Sequence, residues 1–374
     1  MEKKLGFGCM RLPLTDPKDQ TSIDIPQFEK MVDLFLERGF RYFDTAYMYH
    51  DHESERAVRK ALVERHPRDS FTITTKLPVG MLKTEEDLER IFHEQLEKTG
   101  AGFFDYYWLH NLNREDIDMA NQLGCWEFIQ KKKEEGLIRH IGFSYHDMPD
   151  LLDEILTQHP ETEYVQLQIN YLDWEADNVK ARENYEVCVK HGKPVIVMEP
   201  VKGGTLAQVP AEVEEIFKEI HPNLSVPSWA VRYAASLPNV FMVLSGMSDL
   251  AQLEDNSSYM EDFKPLDEVE KQAVFKAADL ILKAASIKCT ACRYCVEGCP
   301  KKIPIPEYFQ LYNEYQKAGG GWTAPQREAY RELSETEGVG KASDCIRCGK
   351  CEKACPQHLK IREYLLKVKE KLEE

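Results

Sequence analysis

Between residues 5 and about 260, short apolar runs alternate with stretches of helical period, and this alternation does most to narrow the folds open to the chain. The apolar runs are LGFGCM (5–10), RYFDT (41–45), FTITTK (71–76), FDYYWLH (104–110), IRHIGFS (138–144), EYVQLQIN (163–170), PVIVME (194–199) and VFMVLS (240–245). Segments such as QFEKMVDLFLER, ESERAVRKALVER, TEEDLERIFHEQLEK and WEFIQKKKEE lie between them and read as helices. Thr84 followed by Asp87, and Pro26 in a first turn, are start signals for two of these. Eight strands alternating with helices over roughly 255 residues have the count and length of a TIM barrel. A doubly wound sheet calls for a Gly-x-Gly-x-x-Gly turn after its first strand, whereas Gly6-Phe7-Gly8 runs on into Cys9-Met10-Arg11. The expected fold is therefore α/β, a (β/α)8 barrel over residues 1–262 with a smaller, mainly helical domain over 263–374.

After Asn256 the pattern changes. Residues 266–285, PIPEYFQLYNEYQ and residues 359–372 read as helices. Residues 316–343, with Gly319-Gly320-Gly321 and Gly338-Val339-Gly340, read as a looped connection holding a short helix. Apolar content of 43% and charged content of 30% are those of a soluble globular protein. A formal charge of −16 repels phosphate backbones and anionic lipid, so neither nucleic acid nor a membrane is an expected partner. The start, MEKKLGFGCMRLPLTD, has no apolar core and no small-residue cleavage site of a signal peptide. No stretch approaches the ~18–20 apolar residues of a membrane helix. The expected location is cytoplasmic, where reduced cysteines favour metal ligation over disulfides.

Eight of the 11 cysteines fall in two runs, Cys289-x2-Cys292-x2-Cys295-x3-Cys299-Pro300 and Cys345-x2-Cys348-x2-Cys351-x3-Cys355-Pro356; Cys9, Cys125 and Cys188 are scattered. Each run resembles the bacterial ferredoxin motif, in which three thiolates wrap one corner of an iron–sulfur cube and the fourth completes the neighbouring cube. The resemblance implies two [4Fe–4S] clusters, one on Cys289, Cys292, Cys295 and Cys355, the other on Cys345, Cys348, Cys351 and Cys299. Zinc, the competing reading, usually takes ligand pairs separated by a longer loop. The 45 residues between the runs suggest a largely helical variant of the ferredoxin module.

Four residues sit at or just past barrel-strand ends, where such barrels place their chemistry: Asp44 in FDTAYMY, Tyr49, Lys76 in TITTK and His110 in YYWLH. Taken singly, the tyrosine reads as packing, Asp44 with Lys76 as a rim ion pair, and His110 as a half-buried histidine. Together with ESE after the tyrosine, GFS in the fifth strand and Gln166-x-x-x-Asn170 in the sixth, they resemble the catalytic tetrad of the aldo-keto reductases over residues 5–260. That resemblance implies a nicotinamide cofactor, NADPH or NADH, extended across the rim, and reduction of a carbonyl. Tyr49 would be the proton donor, its phenol acidified by Lys76, with Asp44 holding the lysine and His110 orienting the carbonyl.

The same resemblance assigns the cofactor contacts. Gly8, Cys9 and Met10 would line the nicotinamide end; Ser144 and Gln166 would bond its carboxamide; Met198 stands where relatives stack an aromatic ring. Pro200, Val201, Lys202, Gly203 and Gly204 would pass the pyrophosphate, and Gly246, Met247, Ser248, Gln252, Asp255 and Asn256 would surround the adenosine. Relatives that prefer NADPH carry Lys and Arg where Gly246 and Gln252 stand, so their absence beside Asp249 and Asp255 makes NADH a plausible donor. His50 and His52 replace a glycine-rich turn; they read as exposed loop residues or as contacts to substrate or cluster module. The expected substrate is a small polar aldehyde, ketone or sugar, suited to the polar loop 111–124. The clusters would exchange electrons with a protein partner or sense redox state. The alternative is a nucleotide-binding redox sensor or electron-transfer protein with little turnover.

Overall fold

The computed structural model describes residues 3–177, 179–284, 287–317 and 325–373; Gly319–Gly321 lie outside them. Eight parallel strands close into a barrel in chain order: β1 (Leu5–Gly8), β2 (Tyr42–Asp44), β3 (Thr72–Leu77), β4 (Phe104–Leu112), β5 (Ile138–Tyr145), β6 (Tyr164–Gln168), β7 (Val195–Met198) and β8 (Val240–Gly246). Each expected apolar run supplies one strand. Around the barrel lie helices such as Ile25–Glu37, begun by Asp24 accepting from the Gln27 amide and by Pro26 in its first turn. Glu86–Thr99 starts where Asp87 accepts from the amides of Lys83 and Thr84.

Alternation along the strands sorts their side chains into two cores. Odd-numbered residues such as Phe7, Phe43, Ile73, Tyr107, Phe143, Val165 and Val243 pack outward against the helices. Even-numbered Tyr42, Tyr106, Trp108, Ile196, Met242 and Leu244 fill the barrel. At the C-terminal strand ends this inner face turns polar. Gly8 pairs with Asp44 and Gly246, Ser144 with Gln166, and Gln168 with Met198, so one parity carries most of the expected site residues to one mouth.

The helix Glu268–Ala284 buries Ala273, Val274, Ala277 and Ile281 in the barrel's outer core. The cysteine-bearing segment has a core of its own, built on Ile303, Ile305, Tyr308, Phe309, Ile361 and Leu365. It contains helices Ile305–Lys317, Pro325–Ser334 and Ile361–Val368, and one-turn helices Tyr294–Glu297 and Lys350–Lys353 within the two cysteine runs. Among the described residues no helix is long and apolar enough to cross a membrane.

Candidate active site

Lys76, at the end of β3, is 1% exposed, and this burial forces its ammonium to find partners. Its Nζ donates to Asp44 Oδ1 at 2.5 Å, to the Thr45 carbonyl at 2.7 Å and to Tyr49 Oη at 3.3 Å. Tyr49 is reached by the turn after β2, where its amide bonds the Ala46 carbonyl. Its ring stands edge-on to His110, with centroids 5.9 Å apart. Burial, then the neighbouring Lys76 cation, hold His110 well below the usual histidine range, so the imidazole is neutral. Burial and the Asp44 carboxylate push the Tyr49 phenol well above the usual tyrosine range. Tyr49 is thus a protonated phenol with the Lys76 ammonium 3.3 Å from its oxygen. Burial likewise raises Asp44 against the opposing pull of Lys76.

These groups open on a cavity of about 430 Å3, a size suited to a small-molecule site. Its wall includes Asp44, Tyr49 and His110, with Lys76 behind them. Gly8, Met10, Ser144, Gln166, Met198, Pro200, Val201, Gly203 and Gly204 also line it, as do Gly246, Ser248, Gln252, Asp255 and Asn256. The structure does not bring Cys9, Met247 or Lys202 to the wall. Cys9 and Met247 have the odd parity and are buried in the outer core. Lys202 turns away to Asp173 Oδ1 at 2.5 Å and to Gln357 Oε1 at 3.0 Å. Gln166 Oε1 is buried without a partner, an acceptor suited to the N–H of a nicotinamide carboxamide. Ser144 Oγ already accepts from the Asn111 amide at 2.7 Å.

Sequence reasoning missed Arg11, His146, Gln168, Glu199, Tyr294 and Gln357, which also line the cavity. Arg11, one residue after the expected Met10, is the wall's single Lys or Arg among the described residues; a lone cation following the first strand was a readable signal. His50 is not a free loop residue: its Nε2 accepts from the Leu12 amide at 3.0 Å and its Nδ1 faces the Gln20 carbonyl at 3.0 Å. His52 Nδ1 lies 3.0 Å from the Tyr47 carbonyl.

The eight run cysteines gather in two small cavities. Cys289, Cys292, Cys295 and Cys355 line one; Cys299, Cys345, Cys348 and Cys351 line the other, with Ile305 shared between them. Each set thus takes three cysteines from one run and the last from the other. No group of three or more His, Cys, Asp or Glu among the described residues closes tightly enough for a single metal ion. Four thiols around one cavity are the donor set of an iron–sulfur cube. Burial pushes the Cys289 thiol up to about 12, and the Cys292 and Cys351 thiols to about 11, so cationic iron is what would draw out thiolates there.

The first set lies against the cavity that Tyr49 and His110 line. Cys292 and Tyr294 belong to the cavity wall, as do Pro356 and Gln357 from the end of the second run. Gln357 is inserted in a buried network: it exchanges hydrogen bonds with Gln168 at 2.8 and 2.7 Å and accepts from Lys202. Arg11 Nη2 donates to the Thr290 carbonyl at 3.3 Å. That carbonyl lies only 2.1 Å from where a Cβ on Gly203 would stand, and Gly203 has φ +61°, so glycine is required for this approach.

A family model described as the Aldo/keto reductase family matches residues 4–278, and one described as a 4Fe-4S dicluster domain matches residues 288–359. The chain is similar to an uncharacterized oxidoreductase, YqkF, of Bacillus subtilis (strain 168), 24% identical over 312 residues, covering 73% of this chain and 94% of that protein. It is also similar to methylglyoxal reductase DkgA of Yersinia pestis, 28% identical over 190 residues, 48% of this chain and 64% of that one. Among solved structures, the holo form of aldo-keto reductase AKR11C1 from Bacillus halodurans shares the fold with TM-score 0.59 and 24% identity, over 73% of this chain and 91% of that one. An aldo-keto reductase from Klebsiella pneumoniae in complex with NADPH superposes with TM-score 0.58 at 18% identity, over 74% and 95%. The barrel match spans most of the chain, and all eight cysteines of the two cavities fall within the second match: the chain belongs to the aldo/keto reductase family of NAD(P)H-dependent oxidoreductases and carries a 4Fe–4S domain behind its barrel.

Proposed function

We propose that this protein reduces the carbonyl of a small polar aldehyde, ketone or sugar, with Tyr49 as proton donor. The observation that carries the reading is Lys76 Nζ, 2.5 Å from Asp44 Oδ1 and 3.3 Å from Tyr49 Oη, behind the wall of the cavity. NADPH or NADH bound in that cavity would supply hydride. Neutral His110 donates a hydrogen bond that orients the carbonyl oxygen. The protonated Tyr49 hydroxyl gives its proton to that oxygen as negative charge grows there; Lys76 stabilises the phenolate left behind, and Asp44 keeps the ammonium in place. Gln166 and Ser144 hold the nicotinamide end, Gly203 and Gly204 the pyrophosphate beside Arg11, and Ser248, Gln252 and Asp255 the adenosine. Gly246 and Gln252 supply no cation themselves, but the Arg11 side chain packs against Gly246, its Cδ 3.3 Å from where a Cβ there would stand, so a cation lies beside the adenosine end and both NADPH and NADH fit this reading.

The two four-thiol cavities support two [4Fe–4S] clusters serving one-electron exchange or redox sensing. A division of the chain near residue 262 remains our reading, with the helix Glu268–Ala284 associated with the barrel through its buried face. Free, buried Cys9, Cys125 and Cys188 support a reducing, cytoplasmic setting. The presence of Cys292 in the catalytic wall favours a second reading, a nucleotide-binding redox sensor with little turnover. Tyr49→Phe tests the first. Loss of the proton donor is expected to lower kcat by about 10²–10⁴-fold with nucleotide affinity and iron content unchanged; a variant as active as the parent would remove Tyr49 from the chemistry. Rapid single-turnover oxidation of bound nicotinamide by an aldehyde separates enzyme from sensor.

A further inference from the structure

The two cysteine sites differ in what covers them. The first lies against the barrel through Thr290, whose carbonyl meets Arg11 and Gly203; among the described residues Arg293 is the Lys or Arg of its lining and is ion-paired with Glu307, while Lys202 behind it is paired with Asp173. The second opens outward. Cys348 is exposed, and beside it Ile346 is a large apolar side chain left 59% exposed. Lys301, Ile346, Lys350 and Arg362 line this second cavity, and no acidic side chain does. Exposed Lys302, Lys341 and Arg347 flank it in sequence, next to Cys299 and Cys348. Of these cations only Arg362 is ion-paired among the described residues, to Glu352 at 2.5 Å. Residues 341–371 hold nine Lys and Arg against four Asp and Glu, in a chain whose net charge is −16. Glu352, within the run, is taken up by Arg362, and Asp344, just before the run, is engaged by the Lys341 amide.

An exposed apolar residue ringed by unpaired cations is a surface for a partner with an acidic rim and an apolar centre. The geometry points to docking of an acidic one-electron carrier protein on Ile346, Lys301, Lys350 and Arg347, delivering electrons to the outer cluster. The inference rests on the two-cluster reading. The step is one electron leaving the reduced carrier and entering the oxidised outer cluster, with no bond formed and no proton moved. The same cations would also offset the negative charge of four thiolates, a role that requires no partner.

The test uses the full-length protein, reconstituted anaerobically and first assayed for iron, sulfide and the paramagnetic signals of two reduced clusters. If those are missing, the two-cluster reading fails and the docking surface falls with it. With both clusters present, affinity is measured for a plant-type [2Fe–2S] ferredoxin as the acidic probe. We expect binding to weaken about tenfold or more as salt rises from about 20 to about 300 mM. We also expect Lys301→Glu with Lys350→Glu to weaken it about tenfold, and Ile346→Ser to weaken it about threefold, while Lys264→Glu on the barrel leaves it unchanged. Should the charge reversal cost iron, Ile346→Ser and the salt dependence of the parent decide. Absence of binding, or binding indifferent to salt and to these substitutions, overturns the proposal. A charge reversal that shifts cluster potential but not ferredoxin affinity would leave the cations only their charge-balancing role, and would also overturn it.

Discussion

The two cysteine sites are built from the same spacing, yet one faces the cavity at the barrel mouth and the other faces water. In the inner site, Cys292 reaches the cavity wall, and the Lys202 cation, paired with Asp173, lies close enough to pull on the Cys289 and Cys355 thiols. In the outer site, Cys348 and Ile346 are exposed. The difference does not lie in the cysteine spacing. It is set by the residues between and after the thiols of the second run, where Pro356-Gln357 turns into the barrel while Ile346-Arg347, between Cys345 and Cys348, is exposed. A ligand motif therefore fixes which thiols share a cavity, whereas docking decides which cysteine site meets the barrel mouth.

The sharpest way to break this contrast is at Lys202. Lys202→Met leaves Asp173 buried without its cation and deprives Gln357 of a donor, a change expected to cost about 3–5 kcal/mol. Chemical denaturation should show that loss. The reduction potential of the inner cluster should fall while that of the outer cluster stays, and equal shifts in both would dissolve the distinction. A smaller effect isolates the barrel from both sites. Burial raises Glu55 from the ordinary 4.5 to about 7, with its Oε1 accepting from Thr75 and Gln95 at 2.6 and 2.8 Å. Its neutral form is the folded-state form, so its stabilisation is complete below pH 4.5 and lost as pH rises through about 7. Between about pH 5 and pH 8 the parent should lose roughly 2 kcal/mol relative to Glu55→Gln, read from paired melts, without change in either cluster's spectrum. The smallest effect belongs to the exposed seam. Lys353 and Glu115 pair at 3.1 Å but are 72% and 71% exposed, so Lys353→Ala should change stability by less than about 1 kcal/mol and leave both potentials unmoved.

The barrel was legible because its period-2 pattern is local: each apolar run became a strand, and even-numbered Asp44, Lys76, His110, Ser144 and Gln166 share the inner face. Parity also explains what went astray. Cys9 and Met247 follow inward-facing neighbours in sequence and therefore point the other way, into the outer core. Tyr294 and Gln357 lie some 250 to 300 positions beyond Tyr49 in the chain, and no local pattern reports that they return to its cavity. Lys202 looked like a phosphate-loop cation. Its true partners, Asp173 and Gln357, depend on how the cysteine module sits on the rim, which spacing alone does not encode.

One measurement bears most directly on the shared cavity. The anaerobically reconstituted protein, reduced so that both clusters are paramagnetic, is examined by electron paramagnetic resonance with and without oxidised nicotinamide dinucleotide. Nucleotide binding is expected to perturb the signal of the cluster held by Cys289, Cys292, Cys295 and Cys355 and to leave the other unchanged. If saturating nucleotide alters neither signal, or only that of the cluster on Cys299, Cys345, Cys348 and Cys351, the inner site does not share the cavity.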